Sequence, residues 1–164
     1  MLRKEICVLA VNPGTKYLGL AVFQGSDLIY WGTKVLRGKW SIRKLRNAEK
    51  LLLDIIDRYG ITVLSLKRVH PSRTSTNLRS LIASIEGLAE KRGLTVHRYE
   101  LGDLKRFFAA SPKANKMTVL RLALAQYQFL GDQIDREEKH KHPYFIRMFE
   151  AIAAGILAFN RFDR

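Results

Sequence analysis

Basic side chains supply most of the chemistry that this sequence offers. Its 164 residues include 29 Lys and Arg against 15 Asp and Glu, which gives a formal net charge of +14. The excess is spread along the chain rather than confined to one tail. Because Lys and Arg displace condensed counterions from phosphate, a polyanionic partner such as a nucleic acid is the first interpretation of this charge.

Several basic residues fall in loops or at the starts of predicted helices, where backbone N–H groups can also meet a phosphate. They are Arg68, Arg73, Arg79, Arg106 and Lys113, and the predicted helix starts lie near residues 76, 103 and 115. Taken singly, each of them reads as an ordinary solvated surface residue. Their collection around one predicted face favours phosphate binding.

Acidic residues are absent from two stretches where strands are expected to end. No Asp or Glu stands between Glu5 and Asp27, and none stands between Asp57 and Glu86. Residues 131–142 do include Asp, Glu and His, but their spacing fits no pattern of metal ligands. A long polar loop is therefore predicted there.

Apolar patterning predicts the elements that must position these residues. The first part of the chain contains three β-type runs separated by two turn sequences, which indicates an antiparallel meander. The predicted strands are 6–11, 17–23 and 28–36, and the turns are Asn12-Pro13-Gly14-Thr15 and Gly25-Ser26-Asp27. Pro and Gly turn the chain sharply, which leaves the Asn12 side chain at the carboxyl end of a central strand.

Helices alternate with strands in the rest of the chain. Two helices are predicted here, which end near Gly60 and Gly93. Ser41 is suited to cap the first, and either Ser75 or Thr76 opens the second. The further predicted elements are strands 61–66 and 94–99 and helices 102–110, 115–130 and 143–162. This order predicts one α/β domain over 1–164, whose mixed five-stranded sheet has three antiparallel strands, two parallel strands and flanking helices.

The remaining composition points away from secreted and membrane proteins. Apolar residues make up 47% of the chain, yet no 18 of them run together, and the N-terminal segment lacks a small-residue cleavage site. The single cysteine, Cys7, cannot form an intrachain disulfide. We expect no membrane partner and a reducing location, either the cytoplasm in association with a bacterial nucleoid or an organelle matrix.

The segment from Val8 to Val22 resembles the opening of RuvC-type Holliday junction resolvases, a family with an RNase H-like fold. In that family an apolar strand leads into Asp-Pro-Gly and a glycine-containing second strand, whereas this chain has Asn12-Pro13-Gly14 and then Gly19. The resemblance continues in the same order at residues 64–69, 77–87, 104–106, 113–116 and 147–153.

The resemblance implies a metal site that this chain has largely lost. RuvC-type cleavage uses four carboxylates to hold two divalent metals, and their places fall on Asn12, Lys67, Arg147 and Glu150. A positive charge about 4 Å from a divalent ion costs roughly 8 kcal/mol at an effective dielectric of 20, so Lys67 would repel a metal. We expect Lys67 or Arg147 to contact Glu150 instead. No cofactor is expected, with Mg²⁺ or Mn²⁺ only if the site is rearranged and active.

The resemblance also implies binding roles for several residues. Lys105 and Lys116 match family lysines near the scissile phosphate, and His70 stands where the family places an aromatic wedge. The full nucleic-acid-binding prediction is Arg68, His70, Arg73, Arg79, Lys105, Arg106, Lys113 and Lys116. Residues 77–87 match the helix that forms the family's dimer interface, which implies a homodimer contact through Leu78, Leu81, Ile82 and Ile85. The same apolar face could instead belong only to the core.

Three functions compete on this basis. The leading interpretation is a pseudo-nuclease, a RuvC-like dimer that binds branched DNA and cuts it poorly or not at all. The second is an active Mg²⁺-dependent Holliday junction endonuclease with a rearranged site. The third is an RNA-binding or scaffold subunit of a larger assembly, in which the positive charge contacts structured RNA.

Overall fold

A five-stranded sheet forms the centre of the molecule. The computed structural model describes residues 5–140 and 142–162. Its strands are β1 (Cys7–Asn12), β2 (Tyr17–Gln24), β3 (Asp27–Val35), β4 (Val63–Lys67) and β5 (Thr95–Tyr99). The spatial order is β3-β2-β1-β4-β5. Strand β2 is antiparallel to both of its neighbours, β1 and β3, and β4 is parallel to both of its neighbours, β1 and β5. The predicted mixed sheet is therefore confirmed.

Within residues 5–140 and 142–162, six α-helices accompany the sheet, together with a short 3₁₀ helix at Pro71–Arg73. They are α1 (Ile42–Tyr59), α2 (Thr76–Lys91), α3 (Leu101–Ala109), α4 (Lys116–Leu124), α5 (Gln128–His140) and α6 (Pro143–Phe162). Ser41 caps α1 as predicted, and of the two candidates for α2 it is Ser75 that caps the helix. Both side chains accept hydrogen bonds at 3.1 Å, from the backbone N–H groups of Lys44 and Leu78. Gly60 ends α1 in the left-handed conformation, at φ +62°.

The predicted polar loop at 131–142 is wrong, because most of that segment is helix α5. Leu130 and Ile134, four residues apart, are only 1% and 3% exposed and pack into the core. Arg121 of α4 pairs with Asp135 and Glu138, which lie three residues apart on the same side of α5. The predicted helix 115–130 is accordingly two helices with a break at residues 125–127. Two buried apolar positions in a mostly charged segment were too few to reveal the helix.

The core has two layers, one on each face of the sheet. One layer contains buried residues of α4, α5 and α6, and the other contains those of α1 and α2. Helix α6 lies very close to β2. A Cβ atom added at Gly19 would come within 2.2 Å of the Arg147 carbonyl oxygen, so only glycine fits at this position. A Cβ at Gly155 would come equally close to Phe23. These two glycines set the position of α6 and of the polar residues at its start.

The helix expected to carry the dimer interface is α2. Two of its four predicted interface residues are buried in the structure and two are half-buried. Leu81 and Ile85 are 1% and 3% exposed and belong to the chain's own core, so they are not available to a partner. Leu78 and Ile82 are only half-buried. Of the four predicted interface residues, Leu78 and Ile82 therefore keep partly accessible side chains, since the other pair faces the sheet. The interface itself stays a prediction. Among the described residues, no helix has the length and apolar character needed to cross a membrane.

Candidate functional site

The four positions matched to the family carboxylates come together at the ends of two central strands. Asn12 is the last residue of β1 and Lys67 is the last residue of β4, and these strands are parallel neighbours. Helix α6 crosses β1 and β2 and brings Arg147 and Glu150 to the same place. Asn12 and Glu150 are 1% and 0% exposed, so the centre of this group is closed to solvent.

Glu150 is surrounded by donors from three other elements. The Lys67 Nζ atom lies 2.9 Å from each carboxylate oxygen, and Lys116 Nζ lies 3.4 Å from Oε1. The Asn12 side-chain amide donates to Oε2. The expected contact of Glu150 with Lys67 or Arg147 is thereby confirmed for Lys67. We call Lys67, Lys116 and Arg147, together with Glu150, the cation cluster.

Arg147 is held by the turn that follows β1. Its Nη1 atom donates to the carbonyl oxygen of Pro13 at 2.9 Å and to the side-chain oxygen of Asn12 at 3.3 Å. A Cβ at Gly14 would lie 3.0 Å from the guanidinium carbon and 2.5 Å from the carbonyl oxygen of Tyr17. Asn12 therefore accepts from Arg147 and donates to Glu150, and Gly14 leaves room for the guanidinium group.

The cation cluster carries more positive than negative charge. Lys67 and Lys116 pair with the one carboxylate, and Arg147 lines the same cavity; the side chains of Lys67 and Lys116 are 21% and 35% exposed. Burial lowers the pKa of Lys67 below its usual value; Glu150 opposes this shift, and the charges of Lys116 and Arg147 add to it. The cluster opens into a small cavity lined by Asn12, Lys67, Lys116, Pro143, Ile146, Arg147 and Glu150.

This donor set does not fit a divalent metal. Both oxygens of Glu150 already accept from Lys67, and a metal between them would meet the ammonium group at close range. Asp103 does not stand in for a lost metal-binding carboxylate in this arrangement. Its oxygens accept hydrogen bonds from the Glu100 backbone N–H at 2.8 Å and from Arg106 at 2.7 Å. In the described part of the chain, no three His, Cys, Asp or Glu side chains are grouped so as to hold a metal.

Several of the predicted nucleic-acid-binding residues line a groove beside the cation cluster. It runs between the segment after β4 and the start of α3, and its cationic lining comes from Lys67, Arg68, Arg73, Lys116 and Arg147, with His70 beside them. Among the described residues, the one acidic side chain in its lining is Glu100, which lies 3.8 Å from Arg68. Arg68 also lines a second groove with Arg79. The strand ends and the loop after β4 thus form a continuous basic surface.

Three of the predicted residues, Lys105, Arg106 and Lys113, lie outside these two grooves. Lys105 is half-buried on α3, Lys113 is exposed before α4, and Arg106 pairs with Asp103. His70 is exposed, and its Nδ1 atom accepts from the backbone N–H of Ser72 at 3.1 Å. The histidine therefore caps the short 3₁₀ helix in this structure.

Two residues near the site were not anticipated from the sequence. Arg98 lines the second groove and pairs with Glu86 at 3.2 Å, and its place on an alternating edge strand was a usable signal. Tyr99, the strand partner of Lys67, is fully buried. Burial raises the pKa of Tyr99 well above its usual value, the charge of Glu150 adds to this, and Arg147 opposes it. An apolar strand pattern gives no signal for such a residue.

Comparison with known proteins defines the class of fold. No protein-family model matches the chain, and no curated protein matches it in sequence. Solved structures do match, and the fold is the RNase H-like fold of RuvC and other Holliday junction resolvases. The predicted fold family is thereby confirmed.

Three of these structures illustrate the likeness. Thermus thermophilus RuvC in complex with a Holliday junction substrate matches with a TM-score of 0.73 at 16% identity, over 95% of this chain and 94% of that one. The yeast mitochondrial Holliday junction resolvase matches with 0.62 at 12% identity, over 94% and 78%. The fowlpox virus resolvase in complex with Holliday junction DNA matches with 0.60 at 13% identity, over 97% and 100%.

Proposed function

We propose that this protein binds branched DNA, with the four-way junction as the favoured form, and that it does not cut DNA by a two-metal route. The observation that carries the proposal is the state of Glu150. Its carboxylate is bound by Lys67, Lys116 and Asn12, where a nuclease of this kind needs metal ions. The protein is thus a binder built on a nuclease fold.

Branched DNA is favoured by the placement of the basic surface. The grooves lined by Arg68, Arg73 and Arg79 adjoin the cation cluster, so positive charge extends from the strand ends to the start of α2. Phosphate contacts of this kind supply sequence-independent affinity. Two of the similar structures, RuvC and the fowlpox virus resolvase, are complexes with Holliday junction DNA.

The proposal includes a homodimer, because a four-way junction offers a two-fold arrangement of arms that a dimer can match. On α2 the half-buried residues Leu78 and Ile82 remain for such a contact, and each lines one of the two basic grooves. Sedimentation velocity of the protein with and without a four-way junction tests this part. A species with one protein chain per junction would contradict it.

Binding is tested by comparing a four-way junction, a linear duplex and a structured RNA of equal length at one fixed salt concentration. We expect the junction to bind most tightly, and to do so equally in EDTA and in Mg²⁺. Equal affinities would indicate only nonspecific electrostatics, and tighter RNA binding would favour the RNA-binding alternative.

Cleavage is tested on the same junction with millimolar Mg²⁺ or Mn²⁺. We expect intact arms after prolonged incubation, because Lys67 occupies the carboxylate on which a metal would depend. Divalent-dependent incision at defined positions would overturn the pseudo-nuclease proposal. Such a result would support the endonuclease alternative with a rearranged site.

A further inference from the structure

We propose that Lys67, Lys116 and Arg147 form a phosphate-binding site in the cavity above Glu150, and that it holds a phosphate group of the bound nucleic acid directly, without a divalent ion. The inference rests on the proposed function and specifies which chemical group occupies this cavity. It also gives Lys67 and Arg147, which stand at positions matched to family carboxylates, a function in binding as well as the loss of the metal site.

The charges of the cluster call for another anion. Three cations line the cavity with one carboxylate, which is 0% exposed and is paired with Lys67 and Lys116. In the described part of the chain, no second acidic residue lines the cavity. Mutual repulsion among the three cations is relieved when a phosphate enters, because its charge is close to all of them at once.

The cluster also has N–H donors left for a ligand. A lysine ammonium has three donors and a guanidinium has five. Within the described residues, Lys67 directs donors to both oxygens of Glu150, and Arg147 uses Nη1 on Pro13 and Asn12. Lys116 forms an ion pair with Oε1 of Glu150 at 3.4 Å. The remaining donors come from three elements around one cavity, which suits the several oxygens of a phosphate.

Burial and pairing hold the cations in place before a ligand arrives. Glu150 anchors both lysines from below, and the Asn12-Pro13-Gly14 turn anchors Arg147. Lys116 is also the first residue of α4, whose N-terminal backbone N–H groups favour an anion nearby. A pre-positioned group of donors loses less side-chain entropy on binding than free surface lysines do.

The phosphate can belong to an internal phosphodiester of the DNA or can be a free or terminal phosphate. Both present the same oxyanion, and only the DNA source depends on the proposed function. The experiment therefore has one arm with junction DNA and one arm with inorganic phosphate alone.

The DNA arm measures junction affinity over a series of KCl concentrations for the wild type and for Lys116→Gln. We expect the slope of log K against log salt to fall by about one unit and the affinity at low salt to fall about tenfold. Lys116→Arg should retain the wild-type slope. Lys50→Gln is the matched control, since Lys50 is an exposed lysine on α1 outside the grooves.

The phosphate arm follows backbone amide signals of the wild-type protein by NMR as inorganic phosphate replaces chloride at constant ionic strength. We expect saturable shifts at Lys116 and Arg147 and none at Lys50. This arm does not depend on the folding of a variant. Shifts that never saturate, or that are equal at Lys50, would refute the site.

The two arms separate the possible failures. A junction that binds the wild type with an unchanged slope in Lys116→Gln would overturn the phosphate site and leave the proposed function standing. Saturable phosphate shifts without junction binding would support the phosphate site and overturn the proposed function. If Lys116→Gln does not fold, the phosphate arm alone decides.

Discussion

Two groups of buried polar side chains lie close to neighbouring strands and differ in how their polar atoms are partnered. At the ends of β1 and β4, Asn12 and Glu150 are closed to solvent, and both oxygens of Glu150 accept hydrogen bonds. On the adjacent strand β5, His97 Nδ1 and Tyr99 Oη are buried, and within the described residues neither has a hydrogen-bond partner.

The difference follows from the cost of burying a charge compared with a neutral group. A buried charge without a partner costs several kcal/mol, whereas an unpaired neutral hydroxyl or imidazole N–H costs about 1–3 kcal/mol. The fold can therefore tolerate the two β5 groups, but Glu150 must keep its cations. Substitutions in either group therefore test this difference.

The largest effect is expected when the cation cluster is converted into a carboxylate cluster. The triple variant Asn12→Asp, Lys67→Glu, Arg147→Asp places four carboxylates together, so it should unfold at much lower urea than the wild type in EDTA. Millimolar Mn²⁺ should restore stability in a saturable way, by about 2.7 kcal/mol at a hundredfold excess over Kd.

The variant Asn12→Asp, Arg147→Asp is the control, because it keeps Lys67 in contact with Glu150. We expect little Mn²⁺-dependent stabilisation in this variant, since the ammonium group still competes with the metal. Equal responses to Mn²⁺ in both variants would show that Lys67 does not decide metal binding.

Removal of one partner from the buried pair should have the next largest effect. Lys67→Met leaves Glu150 buried with only Lys116 and Asn12, and we expect a loss of about 3–5 kcal/mol in the free energy of unfolding. The measurement is urea denaturation at neutral pH. The exposed pair Arg92–Asp57, with N and O atoms 3.2 Å apart, is the matched comparison, and Arg92→Met should cost less than about 1 kcal/mol. Similar losses in the two variants would contradict the distinction.

On β5, the expected effect of His97 depends on pH. Burial lowers the pKa of His97, the nearby Arg161 adds to this, and Asp103 opposes it. Between the lowered pKa and the ordinary value of about 6.5, the unfolded chain binds a proton that the folded chain does not, so stability falls as the pH falls through this window. In thermal unfolding at a series of pH values, the unfolding temperature of His97→Phe should fall less than that of the wild type as the pH falls through this window. An identical pH profile in the variant would argue against it.

The smallest effect is expected for Tyr99→Phe. The Tyr99 hydroxyl is fully buried, and no partner for it lies within the described residues, so its removal should leave stability unchanged or raise it by about 1 kcal/mol. Urea denaturation provides the measurement. A loss of stability instead would show that the hydroxyl has a partner, such as a bound water, and that β5 resembles the cation cluster more than we infer.

Much of the fold follows from local sequence signals. The strand pattern, the Ser41 and Ser75 caps and the Gly60 helix end depend on residues close together in the chain, and the structure confirms them. Helix α5 was missed for the same reason, because its two buried residues identify it only through what they pack against. The sequence likewise could not show that Leu81 and Ile85 face the core.

For the candidate site, too, some features follow from the sequence and others only from the tertiary structure. The sequence by itself determined that only one of four matched positions, Glu150, kept a carboxylate, and that the chain carries a net charge of +14. Only the tertiary structure decided that Lys67 and Lys116 both bind that carboxylate while Arg147 bonds the turn after β1. These partners are 34 to 134 residues apart in sequence, and their meeting depends on how closely α6 packs on the sheet. Charge is a property of the residues themselves, but pairing is a property of the packing.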